Sequence, residues 1–419
     1  MGRGYRKKEP PVQPVIKAEL NESHFKLRLV LAIAFGLLAA VMIVYGIVSL
    51  LRADPGWQQV EANTSEGMTC AGEFSFYYNI GKAGIAASTE YKQLVNVYTD
   101  AARHAYRVFD NTMEYAGLGN LHTLNDHIGE KVALDPLLYD ALRSFGDNVR
   151  YLFLAPVYMD MANLFGCTDD SQIYPFDPLQ NPEEAAYVAE IARFASDPAS
   201  ISIAFYEDNT VCLTISDEYA AFAEEYGIES FVDFFYLKNA FVIDYLAEEI
   251  TAAGFTHGTL SSYDGYSRNL DLSEEEYTQP VYHLTDEGLY PACTMRYTGS
   301  MAICYLRAYP LNGMDNLHYY TLSNGEIRTP YVCLADGIAR TATDTLLGYS
   351  KTLSCSAILQ ELLPHFAASP EDWEPDALAA LDPALHVLYI TDRTIRYSGD
   401  VSLADLYADG EVQYTEDHQ

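Results

Sequence analysis

The spacing of apolar and polar positions divides the chain before any residue type is considered. Residues 29–51 (LVLAIAFGLLAAVMIVYGIVSLL) contain no charge. A helix of that length crosses a hydrocarbon core of about 30 Å. It outruns the roughly 7–15 apolar residues of a secretory signal and does not end in a small-residue cleavage site. A transmembrane helix over 29–51 is expected.

Beyond that span the period changes. Tyr91, Leu94, Val95, Tyr98, Ala102, Ala105 and Phe109 recur at helical spacing and predict an amphipathic helix over 89–109 whose stripe faces the core. Asp135-Pro136 reads as an N-cap and the first helical residue, with Leu137, Leu138 and Leu142 behind. Further helices are predicted over 183–195, 217–226, 237–253 and 356–366. Alternation predicts a strand over 73–78 and a hairpin, 201–205 with 211–215, around Glu207-Asp208-Asn209. Strands predominate over 258–347, and a last hairpin, 385–390 with 394–397, turns at Asp392-Arg393. Residues 167–182, polar and containing proline, read as a loop. Hairpins mixed with helices, with no internal repeat, predict an α+β class: a mixed sheet with flanking helices rather than a doubly wound parallel sheet.

Charge orients the anchor. Arg3, Arg6, Lys7, Lys8, Lys17, Lys26 and Arg28 precede the span, whereas Asp54, Glu61 and Glu66 follow close behind it. The positive-inside rule puts the N-terminus in the cytoplasm and the main domain outside, in the cell membrane as a single-pass protein. The plan is a basic tail over 1–28, the helix over 29–51, a stalk over 52–66, a folded domain over 67–400 and an acidic tail over 401–419. The net charge of −34 arises beyond the anchor, so nucleic acid is excluded as a partner. Seven cysteines, Cys70, Cys167, Cys212, Cys293, Cys304, Cys333 and Cys355, show no CxxC or Cys/His spacing. That excludes a structural zinc site and leaves buried thiols or a disulfide open. There is no GxSxG, HExxH, P-loop or GxGxxG sequence.

What remains is an ordered series of partial motifs. Gly119-Asn120-Leu121-His122-Thr123-Leu124-Asn125 follows a long helix, and Leu154-Ala155-Pro156-Val157 comes next. Residues 233–244 (DFFYLKNAFVID) lead into a helix, and Gly258-Thr259-Leu260 runs to Tyr263-Asp264-Gly265. His318-Tyr319-Tyr320-Thr321-Leu322-Ser323-Asn324-Gly325 and Ser354-Cys355-Ser356-Ala357-Ile358-Leu359-Gln360 complete the order. Together these resemble the FAD:protein FMN transferase family, the thiamine biosynthesis lipoprotein-like flavin transferases, in segments reading S-E-L-x-x-L-N, F-D-P-T, D-L-G-G-I-A-K-G-Y-A-V-D, G-G-D, H-I-I-D-P-x-T-G and A-D-A-L-x-T. The resemblance runs from about residue 67 to 398 and implies magnesium-dependent enzymes that split FAD and attach FMN to a Thr or Ser of a target protein outside the bacterial membrane. By motif position, Asn125, Asp233, Asn239, Asp244, Asp264 and His318 would face the cofactor, and Ser356 and Gln360 would stand at the metal.

The substitutions fall on that chemistry. The family's two glycines are Phe235 and Tyr236, its lysine is Asn239 (with Lys238 adjacent), and its metal-binding Asp and Thr are Ser356 and Gln360. Magnesium favours carboxylate oxygens, and phosphoryl-type transfer relies on charge neutralisation. The resemblance therefore implies a divergent member with no confident catalytic residue, FAD as its candidate cofactor and magnesium disfavoured. A binding or accessory role, for a flavin or a membrane redox protein, is the leading expectation. An active transferase, with Asp264 or Asp244 taking over the metal, and an unrelated ectodomain with a structural or interaction role are the alternatives.

Overall fold

The computed structural model describes residues 25–50, 54–273, 275–311, 317–410 and 412–419. Most of the expected basic tail lies outside them. Helix α1 covers Phe25–Leu50, and its described side chains, from Leu29 to Ile43, are apolar and exposed. Among the described residues taken alone, no helix is long and apolar enough to cross a membrane.

A separate compact unit starts at Asp54. Its helices are α2 (Ala87–Val108), α3 (Leu121–Asp126), α4 (Pro136–Ser144), α5 (Ala155–Phe165), α6 (Asp170–Ile173), α7 (Pro182–Ser196), α8 (Asp217–Tyr226), α9 (Lys238–Ala252) and α10 (Cys355–Phe366). Its strands are β1 (Gly56–Gln59), β2 (Phe74–Ile80), β3 (Val132–Ala133), β4 (Ile201–Phe205), β5 (Thr210–Ile215), β6 (Gly258–Ser262), β7 (Tyr266–Asn269), β8 (Glu276–Thr285), β9 (Gly288–Thr298) and β10 (Met301–Arg307). Then come β11 (Tyr320–Thr321), β12 (Ile327–Arg328), β13 (Thr345–Ser350), β14 (His386–Thr391), β15 (Thr394–Tyr397), β16 (Ser402–Ala404), β17 (Ala408–Asp409), β18 (Val412–Gln413) and β19 (Thr415–His418).

A nine-stranded sheet in the order β1-β2-β6-β7-β10-β13-β14-β15-β19 forms the middle. Its pairs are antiparallel except β15 with β19, so the sheet is mixed and the class is α+β with flanking helices. Every residue of β10 and β13 is buried, as expected of central strands covered on both faces. Helices α9 and α10 pack on one face. On the other, the three-stranded β16-β9-β8 sheet shares a core of Val281, Met295, Ile303, Leu347, Tyr349 and Ile395. The helix approach is close enough to require glycine at 348, where a Cβ would stand 2.4 Å from Leu362 Cδ1.

The local signals account for these elements. Asp135 accepts from the Leu137 N–H at 3.0 Å and Pro136 opens α4. The β4–β5 turn places Asp208 and Asn209 at φ of 57° and 54°, and the β14–β15 turn places Asp392 and Arg393 at 49° and 62°, the left-handed conformations of tight hairpins. Three expectations change. Gly56–Gln59, inside the expected stalk, is instead the edge strand β1, because its alternation gives β2 a partner from Gly56↔Ile80 to Gln59↔Tyr77. The expected acidic tail contributes β16 to β9 and β19 to β15. The expected loop 167–182 contains α6, capped by Asp169, and a single turn over Tyr174–Phe176.

Candidate functional site

Three groups of polar side chains arise from the segments that carry the motifs. The first centres on the β6–β7 turn. Gly265 has φ +95°, and a Cβ there would lie 2.3 Å from the Tyr305 carbonyl oxygen, so only glycine lets the turn press against β10 and hold Asp264 inward. The Asp264 carboxylate bonds to His318 Nδ1 and accepts from Asn239 Nδ2 at the start of α9. Burial pushes the Asp264 carboxyl up, but the His318 charge and the bonds from His318 and Asn239 outweigh it and hold it below the usual carboxylate range. Burial likewise lowers His318, and Asp264 outweighs it, so the imidazole sits above its ordinary value. Beside them Lys238 Nζ pairs with Glu73 Oε1 at 3.0 Å. Asn239 Oδ1 is buried and has no hydrogen-bond partner among the described residues.

Phe235 closes this group from the side. It has φ +45°, an uncommon conformation for a bulky residue. Its ring stacks on Tyr158, with centroids 5.3 Å apart and planes 20° apart, and meets the His318 ring edge-on at 5.3 Å. The preceding Asp233 holds the turn by accepting from the Phe235 N–H at 2.6 Å and from Asn111 Nδ2. Burial pushes the Asp233 carboxyl up to about 6, against the bond from the Phe235 N–H.

The second group joins α9 to α10. Asp244 Oδ1 accepts from Arg268 at 2.7 Å and from the Cys355 N–H at 3.0 Å, and Oδ2 accepts from the Ser356 N–H at 2.8 Å. The carboxylate thus satisfies two free N–H groups at the α10 N-terminus, where negative charge is favoured. Ser356 Oγ bonds to Ser354 Oγ at 2.9 Å, and Gln360 Nε2 turns toward Ser144 Oγ at 3.3 Å. Asp244 is committed and Gln360 points elsewhere, so these donors do not converge on a magnesium position. No group of three His, Cys, Asp or Glu able to hold a metal occurs among the described residues.

The third group lines a cleft of about 830 Å³ between α3, α5 and the segment after α8. Asn125 sits at its floor with all its capacity used. It accepts from the Phe231 and Val232 N–H groups at 2.8 and 3.0 Å and donates to the Val232 and Leu121 carbonyls at 2.9 and 3.2 Å. Asn125 therefore pins the loop ahead of Asp233. Asn111, Pro156, Asp160, Tyr187 and Tyr226 line the walls. Burial pushes the Asp160 carboxyl up to about 6, and burial together with the Asp160 charge pushes Glu184 up to about 7.

The motif positions are thus brought together in pieces. Asn239, Asp264 and His318 form one group, Asp244 and Ser356 another, and Asn125 on α3 pins the loop that leads to Asp233. Gln360 joins none of them. Glu73, Asn111, Tyr158, Asp160 and Arg268 escaped the sequence reading. They come from segments remote in the chain, and no local spacing marks them.

No family model and no curated protein matches this chain. Solved structures do. The ApbE protein from Thermotoga maritima superposes with a TM-score of 0.53 at 11% identity, covering 79% of this chain and 93% of that one. The flavin transferase ApbE from Vibrio cholerae gives 0.51 at 14% identity, covering 80% of this chain and 93% of its own. The large mixed sheet with flanking helices is an ApbE-like fold, held here at low sequence identity.

Proposed function

We propose that this chain is a membrane-anchored, extracytoplasmic protein that keeps a flavin-transferase scaffold for binding, with the transfer chemistry weakened or lost. The observation that carries this reading is Phe235. Its ring fills the approach that glycine would leave open for a pyrophosphate, stacked on Tyr158 and edge-on to His318. The commitment of Asp244 to Arg268 and to two N–H groups of α10 supports the same reading, because three donors already share its oxygens. The cleft beside Asn125 and Tyr187 is large enough for a small-molecule ligand such as a flavin, or for a segment of a membrane redox partner. The uncharged run over 29–51 supplies the anchor, and the basic residues ahead of it give the orientation.

One observation favours a second reading, an active magnesium-dependent transferase moving FMN from FAD to a Thr or Ser of a membrane redox protein. Asp264 holds His318 by Nδ1, which is how a carboxylate orients an imidazole for proton transfer through Nε2. In that reading His318 would take the proton of the accepting hydroxyl. The two readings separate in one experiment. FAD is titrated into the detergent-solubilised full chain with and without magnesium, and AMP release is followed. The binding reading expects no AMP above the protein-free control. Magnesium-dependent AMP release that a His318→Ala variant abolishes would replace it with the transferase.

A further inference from the structure

Two of the seven cysteines meet in the interior. Cys304 lies on β10 and Cys355 is the first residue of α10, and both are fully buried. The Cys304 thiol donates to the Cys355 carbonyl at 3.0 Å. The Cys355 thiol in turn reaches the Ser267 and Ile303 carbonyls at 3.3 and 3.6 Å. The remaining five thiols sit elsewhere. Cys70 is bonded to the Ala102 carbonyl at 3.1 Å, and Cys167 and Cys212 are half-buried. Cys304 and Cys355 are the only two cysteines joined by a hydrogen bond among the described residues.

We infer that Cys304 and Cys355 form a disulfide when the domain folds under oxidising conditions, pinning the N-terminus of α10 to the central strand β10. The inference rests on the extracytoplasmic reading for its setting, since that is where structural disulfides persist. The chemistry is thiol–disulfide exchange with a disulfide oxidant, either a small-molecule disulfide or an oxidoreductase. One cysteine thiolate attacks the oxidant's S–S bond and releases a thiol. The second thiolate then attacks the mixed disulfide and releases the other. Two protein thiols lose two protons and two electrons, and the oxidant's disulfide is reduced to two thiols. Burial pushes the Cys304 thiol well above its ordinary range, so the exchange belongs to the folding chain, before β10 and α10 close over the pair. The bond would close a loop that contains β11, β12 and β13, and long closed loops are those a cross-link stabilises most. It would also fix the helix end that Asp244 caps, next to the Ser356 position.

The test refolds the detergent-solubilised full chain from denaturant and reductant in a mixture of oxidised and reduced glutathione. Free thiols are then alkylated and the peptides mapped. The expected result is a linked Cys304–Cys355 peptide with five alkylated cysteines. Reduction of that material should lower Tm by about 5 °C, and Cys304→Ser should leave all of its remaining cysteines alkylated. Seven alkylated cysteines, or a linkage between any other two, would overturn the inference. Protease digestion of intact cells reads the location separately. A domain digested outside the cell but carrying seven free thiols sinks the pairing and leaves the location. A domain shielded in intact cells that still links Cys304 to Cys355 on refolding sinks the location and leaves the pairing.

Discussion

At the scale of single residues, Phe235 is where sequence and backbone disagree most. A non-glycine residue at positive φ costs on the order of 1–3 kcal/mol unless its surroundings compensate. Here compensation comes from the ring stack with Tyr158 and from Asp233, which fixes the Phe235 N–H. Strain relief and lost stacking therefore oppose each other in Phe235→Gly, and its stability should change by less than about 1 kcal/mol in urea unfolding. The neighbouring Phe234→Ala should behave differently. Phe234 is 1% exposed and packs against Phe109, Phe145 and Phe241, so its loss should cost about 3–5 kcal/mol. If Phe235 is the closure proposed above, Phe235→Gly should also bind FAD more tightly than the parent chain, as read by flavin fluorescence. Unchanged affinity would show that another group blocks the site.

At the scale of elements, the α9–α10 junction depends on one carboxylate. Asp244→Ala removes the partner of Arg268, whose side chain is only 21% exposed, together with the acceptor for two helix N–H groups. Breaking a largely buried pair from one side costs about 3–5 kcal/mol, whereas removing the ordinary cap with Ser354→Ala should cost about 1 kcal/mol. Urea midpoints of the two variants test that order. The junction also marks how far the sequence could be read. The helices and hairpins were legible because capping residues, turn residues and apolar period are local, as at Asp135-Pro136 and Asp392-Arg393. The placement of Asp264, Asn239 and His318 in one group was legible only through motif order. The role of Asp244 was not, because its partners Arg268 and Ser356 lie on other elements. The stalk was misread at Gly56–Gln59 because a short edge strand with alternating burial looks like any polar linker until β2 is beside it.

At the scale of the whole molecule, titration of the interior sets how stability follows pH. Asp160, Asp233 and Glu184 are pushed up to about 6, 6 and 7, so between pH 4 and 7 these three groups bind more protons in the folded chain than in the unfolded one and their contribution to stability is lost as pH rises. His318, raised above its ordinary value, acts in the same direction, its contribution being lost as pH rises through its folded pKa. Asp264 and Asp271 are held low, with Asp271 at about 2, so their contribution disappears only as pH falls through those values. The net charge of −34 adds self-repulsion at high pH. Thermal melts should therefore peak at about pH 4 and fall on both sides, and a maximum at pH 8 would contradict the assignment of the raised carboxyls. The sheet order carries a further consequence, in time rather than in energy. Strand β2 finds its inner partner only in β6, with Phe74 opposite Ser262, and most of the helices are made in between. A chain synthesised from its N-terminus must keep Phe74, Phe76 and Tyr78 from other company until β6 arrives. Refolding should accordingly be slow, and holding proteins should matter most while those three aromatic residues wait.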